Sequence, residues 1–351
     1  MKKILSFVFI IFYLLHYCQI NTKNLTGDWI LIHKELADGS KFFSQTPTVN
    51  PHTIYYFNKG SYFTKDYVTD SDSFINFSFK IKDSIIIHDN SPHFKIEKLT
   101  SDELILLDIN ERKIDKTFGR YYLRRYESVR NNDLEKFADK ELLTSTPALS
   151  PYPKNYIFEN EFKEDSDQIF KTKGYLFFDL ESKSLNAILT DLSSISPESK
   201  KKLTKILNES YGMWDFSKVA NFKKIKMPFV AICYKLKVNN NNLTNISIGY
   251  NITEYDEIVL PIDTQKIIDA ENHYTLALKC FEKQDYNCSA ENFKKSFLEN
   301  KYNLDAHYNY ASINFSLGKK DLACNKWKEL VEWRQKEAEK LYTRNNCESI
   351  K

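Results

Sequence analysis

The first third of the chain alternates. Short β-branched and aromatic runs recur at 28–35, 53–58, 61–67, 75–81, 83–88, 93–99, 103–109 and 119–126. Turn residues bound them, as at Asn58-Lys59-Gly60 and Asp89-Asn90-Ser91-Pro92. Apolar and polar positions alternate most plainly in Asn76-Phe77-Ser78-Phe79-Lys80-Ile81 and again from Leu104 to Leu107. Many short strands at close spacing predict an all-β domain over 24–127, a meander closed into a barrel or sandwich. The count of runs suits an up-and-down barrel. Phe57, Phe63, Phe77 and Phe79 predict an interior filled by side chains, although a barrel of this size is also just wide enough for one small ligand.

After residue 127 the pattern changes. Residues 128–153 hold a brief helical stretch at Asp133–Leu142 and then Pro147, Pro151 and Pro153 without helical period. Proline biases its predecessor toward extended backbone, so this segment is expected to be a stiff linker. Residues 154–262 read as α+β, with strands at 155–161, 173–180, 184–190, 229–238 and 245–252. One helix stands out between them. Ser196 is a good N-cap, Pro197 suits the first helical position, and Leu203, Ile206, Leu207 and Tyr211 share a face. Residues 264–350 read as an all-α domain, and 270–336 repeat internally. His273 and His307, Tyr274 and Tyr308, Ala277 and Ala311, Phe281 and Phe315, and Lys294 and Lys328 coincide at a spacing of 34 residues. The expected fold class is therefore multidomain: a β-barrel-like domain, an α+β domain and all-α helical hairpins.

Gly27-Asp28-Trp29 opening the first strand, with Arg124-Arg125 near the end of the last, resembles the Gly-x-Trp motif and covering arginine of the lipocalin-like families. That resemblance implies a barrel base built from Gly27, Trp29 and Arg124 or Arg125, with an arginine stacked on the indole. The helix at 197–211, then Trp214 and a long strand, is similar to the TonB C-terminal domain family, although Asp215-Phe216 stands where that family has x-Pro. The 34-residue period resembles tetratricopeptide repeats, with Ala277, Ala311, Ser289 and Ala323 at the close-packing positions and Phe293 and Trp327 at the large aromatic one. His273 and His307 replace the usual Trp, and the closing Pro is missing. Glu337 to Asn345 would be a capping helix. The resemblance implies a peptide-binding groove lined by Glu271, Tyr274, Leu278, Phe281, Asp305, Tyr308, Ser312 and Phe315.

Composition changes little in this picture. The net charge is +3 over 351 residues, which gives no electrostatic footprint for nucleic acid. Lys200-Lys201-Lys202 reads as the wet face of its helix. Lys2-Lys3 followed by the apolar run Ile4–Leu15 reads as a secretory signal, with cleavage expected after Cys18. Bulky Tyr17 stands where a lipidated Cys18 would want a small residue. Residues 1–18 are then a signal peptide, no integral membrane segment is expected, and the chain goes to the periplasm, the outer membrane or the medium. Cys233 sits in an apolar stretch and reads as a buried small hydrophobe. Cys280, Cys288, Cys324 and Cys347 allow three connectivities. Equal distance from helix turns favours Cys280–Cys288 and Cys324–Cys347, in keeping with an oxidising compartment.

Catalytic and metal motifs are missing. The cysteines lack Cys-x-x-Cys spacing, and there is no Gly-rich phosphate loop, Gly-x-Ser-x-Gly or His-Glu-x-x-His. His273 and His307 are expected to pack, and His88 and His93 to lie on the surface beside a turn. Asp70/Asp72 and Glu161/Glu164 read as solvated loop charge. The expectation is a non-catalytic binding or scaffold protein of the bacterial cell envelope that needs no cofactor and holds an unknown protein or peptide in the helical groove. The alternative is a carrier with a small apolar ligand in the barrel.

Overall fold

The protein is described from a computed structural model covering residues 22–42, 53–66, 76–88, 93–109, 118–154, 169–238, 241–251 and 264–349. Residues 1–21, where the signal peptide and Cys18 fall, lie outside the described residues, as do Asp70/Asp72, the 155–161 strand and Glu161/Glu164. The chain divides into two compact units, the first ending at Ala138 and the second centred on Asp139–Lys351.

The first unit is a closed barrel of eight antiparallel strands in sequence order. These are β1 (Gly27–Leu36), β2 (Thr53–Asn58), β3 (Ser61–Asp66), β4 (Phe77–Lys82), β5 (Ile85–His88), β6 (His93–Leu99), β7 (Glu103–Ile109) and β8 (Gly119–Arg125). Pairing of β1 with β8, Trp29 opposite Arg125 and Leu36 opposite Gly119, closes the ring. A one-turn 3-10 segment, Thr22–Leu25, enters β1 and buries Leu25. The core gathers Leu25, Trp29, Leu31, Phe57, Tyr62, Ile96, Leu104 and Leu123 around the same axis. Phe77 and Phe79 pack against it, as expected. Phe63 does not: it stacks on Tyr56 at 4.6 Å, and its neighbour Tyr62 takes the interior place. In a strand, adjacent side chains point to opposite faces, so only one of the two could enter.

The 128–153 segment, expected to be an extended spacer, carries a helix and strand pairings. Helix α1 (Tyr126–Phe137) buries Tyr126 and Phe137 and packs against β1 and β8. Two strands then organise the rest: β9 (Leu142–Thr144) pairs in parallel with a long strand at Lys224–Val238, and β10 (Tyr152–Pro153) pairs with a short one at Trp214–Asp215. Pro147-Ala148 forms the corner of a tight turn closed by Thr146 and Leu149. Asn251 ties down both sides of that turn: Ser145 Oγ donates to its Oδ1 (2.5 Å) and its Nδ2 donates to Ser150 Oγ (3.0 Å). The prolines shape turns and a strand end here, which is an alternative use of their fixed φ.

The second unit continues with β11 (Phe170–Asp179), β12 (Ser184–Leu189), helix α2 (Pro197–Glu209), β13 (Trp214–Asp215), β14 (Lys224–Val238) and β15 (Asn241–Tyr250). Its five-stranded sheet has the order β12-β11-β14-β15, with β9 beside β14. Helix α2 is capped by Ser196 and buries Leu203, Ile206 and Leu207. Trp214 is buried between Phe178 and Tyr250. Cys233 is buried and lies outside both disulfides.

The same unit holds helices α3 (Thr264–Glu282), α4 (Tyr286–Glu299), α5 (Leu304–Ser316), α6 (Lys320–Glu332) and α7 (Lys336–Arg344). Glu282 and Ser316 end α3 and α5, and Tyr286 and Lys320 open α4 and α6, each pair 34 residues apart. Asp285 and Asn303 cap α4 and α5 by accepting the backbone N–H of Cys288 and Ala306. Ala277, Ser289, Ala311 and Ala323 are fully buried, and Ser289 Oγ donates to the Ala277 carbonyl at 2.9 Å. Small side chains at these places let two backbones approach. Cys280 pairs with Cys288 and Cys324 with Cys347, at Cα separations of 5.8 and 5.4 Å. Both lie inside the range a disulfide can span. Among the described residues, no helix is long and apolar enough to cross a membrane.

Candidate functional site

The barrel base assembles as one unit. Trp29 is fully buried and donates its indole N–H to the Leu25 carbonyl at 2.8 Å. The Arg125 guanidinium lies over the indole, its carbon 3.8 Å from the ring centre. Its Nη1 donates to the Thr26 carbonyl (2.9 Å), Nη2 to that of Asn24 (2.6 Å) and Nε to that of Ser101 (3.1 Å). Gly27 has φ +123°, a backbone state that only glycine adopts readily. Arg124 takes no part; it faces outward and pairs with Asp102 and Glu103. The indole and the guanidinium are thus tied to the backbone that closes this end of the barrel.

Further along β1 and β8 the interior turns polar. Lys34 and Tyr121 sit opposite each other in register, well beyond the Trp29–Arg125 pair. Asp108 on β7 continues the inward face of Leu104 and Leu106. Its Oδ2 accepts from the Tyr121 hydroxyl at 2.9 Å and from the Gly119 N–H at 3.2 Å. Lys34 Nζ stands 4.7 Å from the centre of the Tyr121 ring. Burial raises the Asp108 pKa and lowers that of Lys34, while the two charges partly compensate. Tyr62 is pushed up to about 12, by burial first and by the nearby Asp108 charge second. His88 is also inside, buried between Tyr62 at 5.1 Å and Phe94 at 5.4 Å. The expectation that it lies on the surface fails because strand alternation carries it inward after Ile86.

In the helical array the eight expected groove residues divide. On α3, Glu271, Tyr274, Leu278 and Phe281 share one face, and Leu278 and Phe281 are 41% and 49% exposed. Tyr274 packs on Phe293 and accepts a hydrogen bond from Asn309 Nδ2 of α5 at 3.3 Å. Phe281 meets Tyr286 edge-on at 5.6 Å, beside the Cys280–Cys288 link. On α5, Asp305 and Ser312 are exposed, whereas Tyr308 and Phe315 are half-buried. Tyr308 accepts from the Ala338 N–H at 3.2 Å, and the Phe315 ring lies 5.5 Å from that of Trp327. His307 is buried and stacks on Phe297 at 4.3 Å, while His273 is half-buried.

Among the described residues no group of three or more His, Cys, Asp or Glu is placed to hold a metal ion. Comparison of the chain with protein-family models and with curated proteins finds no match.

Proposed function

We propose that this chain is an exported, non-catalytic binding protein whose tetratricopeptide-type helical array holds an extended peptide or protein segment on the α3 face. One observation carries the reading. Leu278 and Phe281 stand exposed on the same side of α3 as Tyr274, whereas Phe315, one repeat on from Phe281, is packed against Trp327. Exposed large apolar side chains in a row, beside polar groups, mark interaction surfaces. Export is supported by the Lys2-Lys3 and Ile4–Leu15 pattern and by two disulfides of the kind an oxidising compartment sustains. The order of α2, Trp214 and β14 supports the likeness of the middle domain to the TonB C-terminal family. The alternative, carriage of an apolar ligand, is weakened by the aromatic rings that occupy the barrel from Trp29 to Phe94.

The test is photo-crosslinking in intact cells. A photoreactive amino acid at position 278 or 281 should trap a discrete partner, and the same label at exposed Leu322, off that face, should not. Adducts that are identical at all three positions, or absent at 278 and 281, would sink the proposal. Intact mass of the protein from its host should show a mature chain starting near Gln19, and retention of Met1 would remove the export claim.

A further inference from the structure

The α3 face carries charge as well as apolar surface. Glu271 and Asp305 stand one repeat apart, on α3 and α5, and both are exposed. Both carboxylates act on one hydroxyl. Burial first, then the Asp305 charge and, less, that of Glu271 hold Tyr274 above the ordinary tyrosine range. The Asp305 charge reaches Tyr308 as well. Neither carboxylate has an ion-pair partner among the described residues.

Stability of the helices accounts for only part of this. Asp305 lies in the first turn of α5, where the helix dipole favours an acid. Glu271 lies beyond the first turn of α3, so the dipole gives no reason for it. The Tyr274 hydroxyl is also half used: its oxygen accepts from Asn309 Nδ2, and its proton has no acceptor among the described residues. One side of α3 thus offers two uncompensated negative charges, a hydroxyl donor, and then exposed Leu278 and Phe281. Uncompensated charge of one sign selects partners of the other and repels its own kind. Glu271 and Leu278 are seven residues apart, which is about 10 Å along a helix. An extended chain covers that distance in about three residues.

We infer that the segment held on the α3 face is basic: an extended stretch whose Lys or Arg reaches between Glu271 and Asp305, and whose apolar side chain about three residues away lies on Leu278 and Phe281. The Tyr274 hydroxyl donates to a main-chain carbonyl between the two. Charge sets which segment approaches and in which register, and the apolar contact holds it. This rests on α3 being the binding face, and adds the sign of the partner's charge and its spacing.

Fluorescence anisotropy of the full chain with labelled peptides tests this. One peptide carries arginine and leucine at that spacing, and two others replace the arginine by glutamine or glutamate. At low salt the arginine peptide should bind about fivefold more tightly than the glutamine one, the upper end for an exposed ion pair, and the glutamate peptide should bind least. The margin should shrink as salt rises. Glu271→Gln with Asp305→Asn should bring the three peptides within about twofold of one another. Glu291→Gln, at an exposed carboxylate on α4, should leave their order intact. Glu271→Lys should turn the preference toward glutamate. Equal binding of the arginine and glutamine peptides, or a preference that survives the double variant, would overturn the inference. The α3 face itself would still stand if the glutamine peptide suppresses photo-crosslinking from position 281. If no peptide binds, the segment crosslinked from positions 278 and 281 in cells decides. It should hold a Lys or Arg within about five residues of the crosslink, and a segment without one overturns the inference. Absence of any crosslinked segment removes the binding face and this inference together.

Discussion

A Cβ placed on Gly27 would lie 2.4 Å from Nη1 of Arg125. The first residue of the Gly-x-Trp motif thus leaves room for the arginine that covers the third. Gly27→Ala must either push the guanidinium off Trp29 or strain a backbone already at φ +123°. The expected loss is about 2–4 kcal/mol, combining backbone strain with overpacking. Trp29→Ala should cost about 3–5 kcal/mol, as for a large buried aromatic. Native-state hydrogen exchange at Ile30 and Leu123 reads the barrel alone. A loss under about 1 kcal/mol for Trp29→Ala would show that the base is not what holds the barrel shut.

Much of this fold is legible in local pattern. All eight barrel strands fall within a few residues of the alternating runs, because one buried face forces period two on the sequence. Both disulfides follow from helix-turn symmetry. What fails depends on distant contacts or on a shift of one residue. Phe63 and Tyr62 are both plausible core aromatics, and strand phase alone separates them. The 142–153 segment reads as a spacer because its anchor, Asn251, lies about a hundred residues further on. The Asp108 site has a signal of its own that motif reading passes over: Leu104, Leu106 and Asp108 are in phase, so the carboxylate has to point inward.

Asn251 provides a direct check on the 142–153 segment. It is buried, has φ +57°, and bridges Ser145 and Ser150. Asn251→Ala should destabilise the second unit by about 2–4 kcal/mol, from two stranded hydroxyls and a left-handed backbone that alanine disfavours. Asn251→Gly keeps the backbone and loses only the bridge, so it should cost less. Urea midpoints followed on the buried Trp214 would measure both. If neither variant shifts the midpoint, the segment is not anchored there.

His307 should make the helical array sensitive to acid. Burial first, and Lys326 second, push its pKa down from 6.5 to about 4. Its Nε2–H donates to the Lys301 carbonyl at 3.0 Å, while Nδ1 has no hydrogen-bond partner among the described residues. The folded array therefore keeps the ring neutral where the unfolded chain would protonate it. Stability from this group is fully present above pH 6.5 and falls as pH drops toward 4, by up to about 3 kcal/mol. His307→Phe preserves the stack on Phe297 and should flatten that part of the profile. Helical denaturation at about pH 7, 5.5 and 4.5 for both proteins, a range that spans the shift, decides it, and parallel curves would rule His307 out.

The disulfides join stability to the proposed binding face. Cys280–Cys288 closes a loop of about nine residues and Cys324–Cys347 one of about 24, so the chain-entropy model gives each roughly 2.5–3.5 kcal/mol, with the longer loop contributing slightly more. Five helices are short for a stacked array, and links of this size would add stability that further helices could otherwise supply. Reduction should loosen α3–α7 and leave the barrel, whose described residues contain no cysteine, unchanged. The two links should also separate in function. Cys280→Ser with Cys288→Ser frees the α3–α4 turn beside Phe281 and Tyr286, so partner crosslinking from position 281 should weaken most there. Cys324→Ser with Cys347→Ser frees the end beyond α7 and should lower helical stability with a smaller effect on crosslinking. Non-reducing peptide mapping fixes the pairing first: a crossed link such as Cys280–Cys324 would contradict the hairpin geometry. If both double variants lose crosslinking equally, the α3 face depends on the array as a whole and not on its own turn.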